Sequence, residues 1–399
     1  MFQFTGDMIH SKSWFNRMQI VRYFNPKVTL LPQVRILSDD VQALENAIAD
    51  LKRGSKTFHL GLGGTSFRFF CYLISRLEGD WFVRAEARLL ARPQLPLIKA
   101  LKNLGTEVQI EPDGLRITSK SWIVPEEIVF ESNISTQFVS GLLLCSWNLP
   151  KNLIVKVQKP ILSYDYLRMT IDLLRSCGME MFIENHEREL IINILPQQRP
   201  SDLQFEIEPD VSSAFSLAAC AVADGDARIT NWNSKSIQPD MTFVALFKQM
   251  GIQFEVDGKT VHFSKHNTWA PLSADLKNCP DLFPVLAALC ALAPGKSQLF
   301  GAQQLREKES DRIAKTRELL EICGVRVIEL PDGLEIFGVG RNGISKTKNQ
   351  KLFSPDQDHR MAMAAAVLKL AGAPLKIADP QVVNKSYPNF WKDIGVSLE

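Results

Sequence analysis

The sequence has little cysteine, no strong charge of either sign and no long hydrophobic run, and each absence excludes a class of protein. The net charge over 399 residues is +2, without a run of lysine and arginine, which argues against a nucleic-acid-binding protein. The longest apolar stretches, near 282–294 and 361–374, are too short or too interrupted to span a bilayer. Residues 1–17 lack the basic start and apolar core of a secretory signal, so we expect a cytoplasmic protein.

The seven cysteines form no CxxC pair, and most lie in apolar helical sequence. They are therefore predicted to be small buried thiols in a reducing compartment rather than a disulfide framework. The six histidines show no metal-ligand spacing, so no structural metal is expected. The hydrophobic fraction of 45% is ordinary for a globular protein, and the length favours two or three domains.

A glycine recurs at a constant interval at the ends of predicted helices. The helix ends LKNLG, LRSCG, FKQMG and LEICG close at Gly105, Gly178, Gly251 and Gly324, a spacing of 73 residues each time. Glycine just past an amphipathic helix is a C-cap signature, because it adopts the left-handed conformation without steric cost. Four such caps at equal spacing predict a repeated structural unit.

Each of these glycines is followed by a strand-like segment, at 106–111, 179–183, 252–256 and 325–330. Three of the segments continue into an Asp-Gly pair, at 113–114, 257–258 and 332–333, which predicts β-hairpins. A second family of helices is predicted to begin near Ser11, Thr65, Ser135, Ser212, Asp281 and Asp358. Six helix-plus-hairpin units of ~70 residues would account for nearly the whole α/β chain, with domain boundaries between units.

Several predicted helix starts carry cations, although the partial positive charge of a helix amino terminus favours anionic side chains. These cations are Lys12, Arg17, Arg68, Arg92, Lys308, Arg312, Arg360 and Lys385. Taken singly, a lysine near a helix start is usually a solvated surface charge, and REKESDR at 306–312 is typical of an exposed, mutually paired run. Their recurrence at equivalent places favours binding of anionic ligands at these helix starts.

Three further features have an ordinary structural interpretation when taken alone. GLGGTS at 61–66 has neither the spacing of a Rossmann fingerprint nor the lysine of a P-loop, so it predicts a turn. The segment 135–137 and Asp281 could each cap a helix. Arg360 is harder to explain in this way, because it precedes the apolar run MAMAAAVL and a buried arginine needs partners.

Eleven short motifs occur in a fixed order along the chain. They are SKSxxNR at 11–17, SDD at 38–40, GGTxxR at 63–68, RP at 92–93, STQF at 135–138, SYDY at 163–166, DVSSAF at 210–215, PD at 280–281, REKESDR at 306–312, DHRMAM at 358–363 and NKSYPNF at 384–390. From about residue 8 to 392 the chain thereby resembles the 5-enolpyruvylshikimate-3-phosphate (EPSP) synthase family. KESDR together with DHRMA is the most specific part of the resemblance.

The resemblance implies an α/β fold of α+β repeats, a two-domain inverse α/β barrel built from six βαβαββ-type units, three per domain. One domain would comprise residues 10–208 and the other residues 1–9 plus 209–399, with the active site in the interdomain cleft. The implied activity is transfer of the enolpyruvyl (carboxyvinyl) group of phosphoenolpyruvate to the 5-hydroxyl of shikimate 3-phosphate, a step of aromatic amino-acid biosynthesis. Such an enzyme needs no cofactor or metal, acts on small molecules rather than nucleic acid or membranes, and is expected to be a monomer.

The resemblance also assigns ligands to individual side chains. Shikimate 3-phosphate would contact Ser13, Arg17, Ser135, Thr136, Gln137, Ser163, Tyr166, Gln304 and Lys308, with Asp281 at the ring hydroxyls. Phosphoenolpyruvate would contact Lys12, Gly64, Thr65, Arg92, Gln137, Arg312, Arg360 and Lys385. Planar guanidinium groups suit both carboxylate and phosphate oxygens, because they donate two parallel hydrogen bonds.

The resemblance implies proton transfer by three residues. Asp281 is the candidate base for the 5-hydroxyl, which attacks C2 of the enolpyruvyl group. Glu309 or Lys12 would protonate C3, which requires a pKa adjusted by burial and by neighbouring charges. Phosphate would then leave from a tetrahedral intermediate stabilised by the surrounding cations.

The chain departs from the family pattern at three positions. It has His10 where the family has glycine, Leu62 where it has asparagine, and Gln304 where it has asparagine. A glycine beside a ligand permits close approach of the backbone, which the side chain of His10 would block. An alternative hypothesis is therefore that the protein is a degenerate relative that binds ligands without turnover. Another alternative is an enolpyruvyl transferase acting on a UDP-amino sugar or another acceptor. The cysteine typical of that branch is missing from EARLLARP at 86–93.

Overall fold

The computed structural model describes residues 1–32, 37–344 and 349–396, which form an α/β protein. In these ranges the helices are α1 (Lys12–Phe24), α2 (Asp39–Lys52), α3 (Gly64–Ser75), α4 (Ala87–Leu90), α5 (Leu95–Asn103), α6 (Thr136–Leu144), α7 (Tyr164–Ser176), α8 (Val211–Asp224), α9 (Thr242–Gln249), α10 (Phe283–Leu292), α11 (Arg312–Ile322), α12 (Gly340–Gly343), α13 (His359–Leu370) and α14 (Phe390–Asp393). Short 3₁₀ helices span Pro239–Met241, Pro280–Leu282, Gln303–Glu307 and Pro380–Lys385.

The strands of the described residues are short and distributed along the whole chain. They are β1 (Phe2–Gly6), β2 (Thr29–Leu31), β3 (Thr57–His59), β4 (Gly79–Arg84), β5 (Glu107–Glu111), β6 (Gly114–Ser119), β7 (Glu127–Phe130), β8 (Leu153–Gln158), β9 (Met181–Asn185), β10 (Glu189–Ile194), β11 (Gln204–Glu206), β12 (Gly225–Ile229), β13 (Phe254–Asp257), β14 (Thr260–Ser264), β15 (Ser273–Asp275), β16 (Pro294–Phe300), β17 (Arg326–Leu330), β18 (Gly333–Val339), β19 (Lys351–Phe353) and β20 (Leu375–Ile377).

The chain divides into two compact units. Unit 1 comprises residues 1–11 and 208–399, and unit 2 comprises residues 12–207. Unit 1 contains the sheets β1-β12-β14-β13 and β15-β16-β18-β17 and the pair β19-β20. Unit 2 contains the sheets β3-β4-β6-β5 and β7-β8-β10-β9 and the pair β11-β2.

The four four-stranded sheets share one topology. In each, the first two strands pair in parallel and the remaining pairs are antiparallel, for example β3 parallel to β4, which pairs antiparallel with β6. A parallel pair needs a crossover connection, and α3 supplies it between β3 and β4. Antiparallel neighbours such as β5 and β6 are joined by a short turn. The predicted hairpins are confirmed, because each Asp-Gly pair lies at such a turn.

The predicted glycine caps are confirmed by their backbone geometry. Gly105, Gly178, Gly251 and Gly324 have φ of +78°, +91°, +73° and +83°. This left-handed conformation ends a helix and turns the chain into the following strand, and any residue with a Cβ adopts it at a cost. The regular spacing in the sequence therefore marks the same turn in successive copies of one structural unit.

Each unit has its own apolar core, which fixes the helices that carry the site residues. In unit 1 the core surrounds α8, α10 and α13, whose apolar side chains are buried along nearly the whole helix. In unit 2 the central helices are α3 and α6, which are buried in the same way. Because a helix buried on all sides cannot shift without repacking its neighbours, its first turn is a rigid support for a binding group.

The cysteines have the environment that the sequence predicts. All seven cysteines are free thiols in buried positions, as predicted, and burial raises the pKa of several of them, including Cys290, whose pKa is about 12. Among the described residues, none of the helices combines the length and apolarity that crossing a membrane requires.

Candidate active site

Arg312 is the centre of a buried charge cluster in unit 1. Its Nε donates to Asp358 at 2.8 Å, one terminal nitrogen donates to Asp281 at 2.8 Å, and the other donates to Glu309 at 3.1 Å. The Arg312 side chain is 2% exposed and that of Asp358 is fully buried. Burial alone would lower the pKa of the guanidinium, but Asp358, Glu309 and Asp281 raise it above its ordinary value. Arg312 therefore stays charged and is held by carboxylates from three segments of the chain.

Arg312 and Asp358 lie at the starts of two helices, each of which begins with an aspartate cap. Asp311 caps α11 by accepting a hydrogen bond from the backbone N–H of Ala314 at 3.0 Å, so that Arg312 is the first residue of the helix. Asp358 caps α13 in the same manner by accepting from the backbone N–H of Arg360 at 3.0 Å. Each cap therefore positions an arginine at the beginning of a helix that is packed into the core.

Asp281 is surrounded by cations. In addition to Arg312, it accepts a hydrogen bond from Arg360 at 3.1 Å, and the Lys308 ammonium lies 4.0 Å from its carboxylate. Burial alone would raise the pKa of Asp281, but Arg360, Lys308 and Arg312 hold it well below its usual range. In this arrangement Asp281 is a carboxylate with low proton affinity, and its basicity would rise if an anionic ligand drew the cations away.

Glu309 joins a further cation to the same cluster. Its carboxylate accepts a hydrogen bond from Lys385 at 2.6 Å and a second one from Arg312. The 3₁₀ segment that precedes it is held in place by Arg306, which bonds to Asp311, to Glu329 and to two backbone carbonyls of the β17–β18 hairpin. The segment REKESDR is therefore not an exposed charge run. Its last residue, Arg312, is the centre of the buried charge cluster, and its first residue, Arg306, anchors the loop between them.

A further carboxyl group lies beside this cluster. Asp240 is 1% exposed and accepts a hydrogen bond from the hydroxyl of Ser212. Burial and the negative charge of Asp281 raise the pKa of Asp240 to about 6, against the opposing effect of Arg360. Two neighbouring carboxyl groups thus differ widely in proton affinity, an arrangement that is frequent at sites of proton transfer.

Arg17 is a buried cation of unit 2, as are Arg68 and Arg92, and its surroundings differ in kind from those of Arg312. It is 3% exposed, and its guanidinium donates to the hydroxyl of Thr170 at 2.8 Å and to the backbone carbonyls of Ser13 at 2.9 Å and Tyr166 at 3.1 Å. Among the described residues no carboxylate pairs with it. Burial lowers the pKa of Arg17 to about 10, with a small opposing effect of Tyr166. This guanidinium lacks a counter-charge, which a bound anion can supply.

Lys12 lies at the start of α1 and forms a salt bridge with Asp40 at 2.8 Å. A Cβ at Gly63 would lie 2.9 Å from the Asp40 carboxylate, so the glycine leaves room for this side chain. The backbone carbonyl of Asp40 also accepts a hydrogen bond from Ser66 at 2.8 Å. The SDD motif is thereby connected to the GGTxxR motif.

Gly64 leaves room for two arginine side chains, as Gly63 does for Asp40. A Cβ at this position would lie 2.9 Å from Nη1 of Arg92 and 3.4 Å from Nη1 of Arg68. Both guanidinium groups therefore pack against bare backbone in the first turn of α3. Arg68 also donates to the side-chain oxygen of Gln137 at 2.5 Å and lies over the ring of Phe138 at 4.5 Å. A helix start with two arginines beside it is a strongly anion-attracting site.

The hydroxyl groups predicted for phosphate binding lie at the starts of α6 and α7. Ser135 caps α6 and accepts from the backbone N–H of Gln137 at 3.3 Å, which is the structural role that the sequence left open. The hydroxyl of Thr136 donates to the carbonyl of Ser163 at 3.2 Å. Ser163 has φ of +57°, a left-handed conformation that is uncommon for a residue with a Cβ and is frequent at functional sites.

The structure therefore divides the predicted site residues into two sets. Unit 2 contains Lys12, Ser13, Arg17, Gly64, Thr65, Arg92, Ser135, Thr136, Gln137, Ser163 and Tyr166, in the first two turns of its helices or in the loops before them. Unit 1 brings together Asp281, Lys308, Glu309, Arg312, Arg360 and Lys385. Gln304 lies on the 3₁₀ helix that precedes Lys308, where its amide donates to the carbonyl of Lys277 at 2.9 Å.

Sequence reasoning missed four residues that the structure connects to these sets. Asp40 and Asp358 lie inside quoted motifs, so the signal was present, but only the folded chain shows that they pair with Lys12 and Arg312. Thr170 and Asp240 carry no motif, and nothing in the sequence distinguishes them from an ordinary buried threonine and a helix cap. The two unusual residues His10 and Leu62 are half-buried, the former in an isolated bridge with Pro209.

The chain is similar to known proteins both in sequence and in fold. The sequence model of the family "EPSP synthase (3-phosphoshikimate 1-carboxyvinyltransferase)" matches residues 33–394. A protein of Syntrophobacter fumaroxidans named 3-phosphoshikimate 1-carboxyvinyltransferase is 34% identical over 345 residues, which cover 85% of this chain and 79% of the relative. A protein of the same name from Pyrococcus abyssi is 33% identical, with 83% of this chain and 76% of the relative covered.

Solved structures show the same fold. An EPSP synthase from Acinetobacter baumannii superposes with a TM-score of 0.69 at 21% identity, covering 99% of this chain and 95% of that structure. The enolpyruvyl transferase NikO from Streptomyces tendae superposes with a TM-score of 0.66 at 15% identity, covering 98% and 94%. At these identities the structures establish the fold, whereas the sequence matches establish the family.

Proposed function

Because the chain belongs to the EPSP synthase family, we propose that it transfers the enolpyruvyl group of phosphoenolpyruvate to the 5-hydroxyl of shikimate 3-phosphate and releases phosphate. The observation that carries this proposal is the environment of Arg17, a buried guanidinium whose hydrogen bonds among the described residues all go to neutral oxygens. A substrate carboxylate supplies the missing negative charge there. The hydroxyls of Ser135, Thr136 and Ser163 are the proposed phosphate ligands of the same substrate.

Phosphoenolpyruvate is the proposed ligand of the remaining cations. Its carboxylate and phosphate would compete with Asp281 and Glu309 for Arg312, Arg360 and Lys385. As these cations turn to the substrate, the proton affinity of Asp281 rises, so that it can accept the proton of the 5-hydroxyl. Substrate binding would thereby generate the base that the reaction needs.

The second proton transfer is to C3 of the enolpyruvyl group. We assign this step to Glu309 or Lys12, each of which lies in a charge pair, with Lys385 and with Asp40 respectively. A tetrahedral intermediate with a C3 methyl group forms when the 5-oxygen adds to C2 and C3 gains its proton. It collapses when the C2–O bond to phosphate breaks and C3 returns a proton to the group that supplied one, which restores the double bond of the enolpyruvyl group. Arg92, Arg312, Arg360 and Lys385 would stabilise the negative charge of the departing phosphate.

The finer architecture is part of the same proposal. The six units of βαβαββ type would form an inverse α/β barrel with three units per domain, and both residue sets would act on one pair of substrates between the domains. The repeated topology of the four-stranded sheets and the paired strands β2-β11 and β19-β20 support this count. We propose a monomeric cytoplasmic enzyme, which light scattering of the purified protein would test.

The test is phosphate release from phosphoenolpyruvate, measured with and without shikimate 3-phosphate. We expect release only with both substrates, and loss of release in Lys12→Ala. Lys27→Ala is the matched control, because Lys27 pairs with Asp202 on the surface of the same unit, where both side chains are more than half exposed. Binding of shikimate 3-phosphate without release would indicate a relative that has lost turnover. Absence of both would indicate a different acceptor.

A further inference from the structure

Thr170 lies in the middle of α7 and is fully buried, yet its hydroxyl contacts three helices. It accepts the hydrogen bond from Nε of Arg17 on α1 at 2.8 Å. It also lies 2.9 Å from the hydroxyl of Ser140 on α6, and 3.1 Å from the backbone carbonyl of Tyr166 one turn earlier on α7. These three helices carry most of the residues assigned above to shikimate 3-phosphate.

The contacts around the guanidinium form a closed arrangement. The carbonyl of Tyr166 accepts from Arg17 at 3.1 Å and from the hydroxyl of Thr170. The third contact of Arg17 is with the carbonyl of Ser13, one turn earlier on its own helix, at 2.9 Å. Together these acceptors define both the plane of the guanidinium and its rotation about the side chain.

The count of donors shows what this arrangement leaves for a ligand. A guanidinium has five N–H donors, of which Nε has one and each terminal nitrogen has two. Among the described residues, Arg17 uses the Nε donor and one donor on each terminal nitrogen. One donor on each terminal nitrogen remains, which is the number that a bidentate contact with a carboxylate requires.

We infer that Thr170 is a positioning residue, which orients the Arg17 guanidinium so that its two remaining donors face the carboxylate of the substrate. The inference rests on the proposed function, because it takes Arg17 as a ligand of shikimate 3-phosphate. A threonine in a helix commonly bonds to the carbonyl four residues earlier, and that bond alone would be a purely local feature. The additional bond from a buried cation on another helix is what gives the hydroxyl a role at the site.

The first experiment measures the affinity for shikimate 3-phosphate alone by calorimetry. Thr170→Val keeps the shape of the side chain and removes the acceptor of the Nε donor, so we expect affinity to fall about 10- to 100-fold. Thr170→Ser retains the hydroxyl and should bind within about 3-fold of the wild type. Thr106→Val is the matched control in the same unit, because Thr106 is also buried and its hydroxyl has no hydrogen-bond partner among the described residues.

A double-mutant cycle separates an effect through Arg17 from an effect on folding. The Arg17→Lys variant lacks the Nε donor that bonds to Thr170. Adding Thr170→Val to Arg17→Lys should therefore lower the affinity for shikimate 3-phosphate by less than about 2-fold relative to Arg17→Lys alone. An equal loss in both backgrounds would overturn the inference, as would wild-type affinity in Thr170→Val. Thr170→Ala, which removes the same acceptor, should behave like Thr170→Val, and it replaces that variant if the valine is not accommodated.

Arg17→Ala distinguishes failure of this inference from failure of the proposed function. If Arg17→Ala binds shikimate 3-phosphate as tightly as the wild type, then Arg17 is not a ligand, and both proposals are overturned. If Arg17→Ala loses binding while Thr170→Val does not, only the role of Thr170 is wrong.

Discussion

Arg312 in unit 1 and Arg17 in unit 2 are buried to nearly the same extent, with 1% and 3% of their surface exposed, but their partners differ in kind. Arg312 is enclosed by three carboxylates, which raise its pKa. Arg17 donates to a hydroxyl and two carbonyls and lies over the ring of Phe69, and burial lowers its pKa to about 10. A buried cation that is neutralised by carboxylates of the protein contributes mainly to the stability of the fold, whereas a buried cation without a carboxylate partner is suited to bind an anionic ligand.

The two arginines therefore have different roles in the proposed reaction. The cations of unit 1 are paired with acids, and the acids are the groups that can exchange protons. In unit 2, Arg17 donates to one hydroxyl and two backbone carbonyls and lies over the ring of Phe69, an uncharged environment that suits recognition of a fixed anionic ligand. The following predictions test this difference through stability and activity, in order of decreasing effect.

The largest effect is expected for Arg312→Met, which leaves Asp358, Glu309 and Asp281 without their common cation. Removing one partner of a buried charge cluster costs about 3–5 kcal/mol, because the remaining charges stay desolvated. Urea unfolding without ligand measures this loss. Arg317→Met is the control on the same helix, where the side chain is 44% exposed and the expected loss is below about 1 kcal/mol.

The next effect concerns pH and Asp240. Its folded-state pKa of about 6 is raised above that of the unfolded chain, so between about pH 4 and 6 the folded protein binds more protons. The wild type is therefore expected to lose stability as pH rises through this window. Asp240→Asn removes this loss and should be more stable than the wild type above pH 6, by about 1–3 kcal/mol.

The same pH series includes a control of opposite sign. The hydroxyl of Ser212 donates to Asp240 and lowers the pKa of that carboxyl group. Ser212→Ala removes this hydroxyl and raises the pKa of Asp240 further, so the fall in stability should extend to higher pH than in the wild type. Identical pH profiles for the wild type, Asp240→Asn and Ser212→Ala would show that Asp240 does not titrate in this range.

A smaller effect is expected for Arg306, which anchors the loop that carries Lys308 and Glu309. Arg306→Ala should reduce kcat about tenfold, since the acid groups would be held less accurately, and should change stability little because Arg306 is partly exposed. Arg317→Ala is again the comparison, because Arg317 also pairs with Glu329, at 3.0 Å, but contacts neither Asp311 nor the hairpin carbonyls. Equal kcat values in the two variants would contradict an anchoring role.

The smallest effect on stability is expected for Arg17→Met, and it completes the comparison with Arg312→Met. Removing a buried charge that has no carboxylate partner should change the free energy of unfolding by less than about 1 kcal/mol, or increase it. Shikimate 3-phosphate should then stabilise the wild type against urea but not this variant, because a ligand stabilises only the protein that binds it. A loss comparable to that of Arg312→Met would mean that the two arginines have the same role.

Much of the fold was predictable because its signals are local. The glycine caps, the Asp-Gly hairpins and the helix starts depend on neighbouring residues, and the structure confirms them within a few positions. The predicted cations were also found in the first two turns of helices, in the loops before them or in a short 3₁₀ helix, but which substrate each one contacts stays a prediction. The run REKESDR shows the limit, because its composition cannot tell a surface ion-pair run from a buried cluster around Arg312.

The sequence by itself determined the repeat, its turns and the set of cations, since a C-cap or a hairpin is specified by residues that are adjacent in the chain. Only the tertiary structure decided which buried cation meets carboxylates and which meets neutral oxygens. Arg17 and Thr170 are 153 residues apart, and Arg312 and Asp358 are 46 apart. The energy of a buried charge depends on every group that replaces water around it, and that set of groups exists only after the chain has folded.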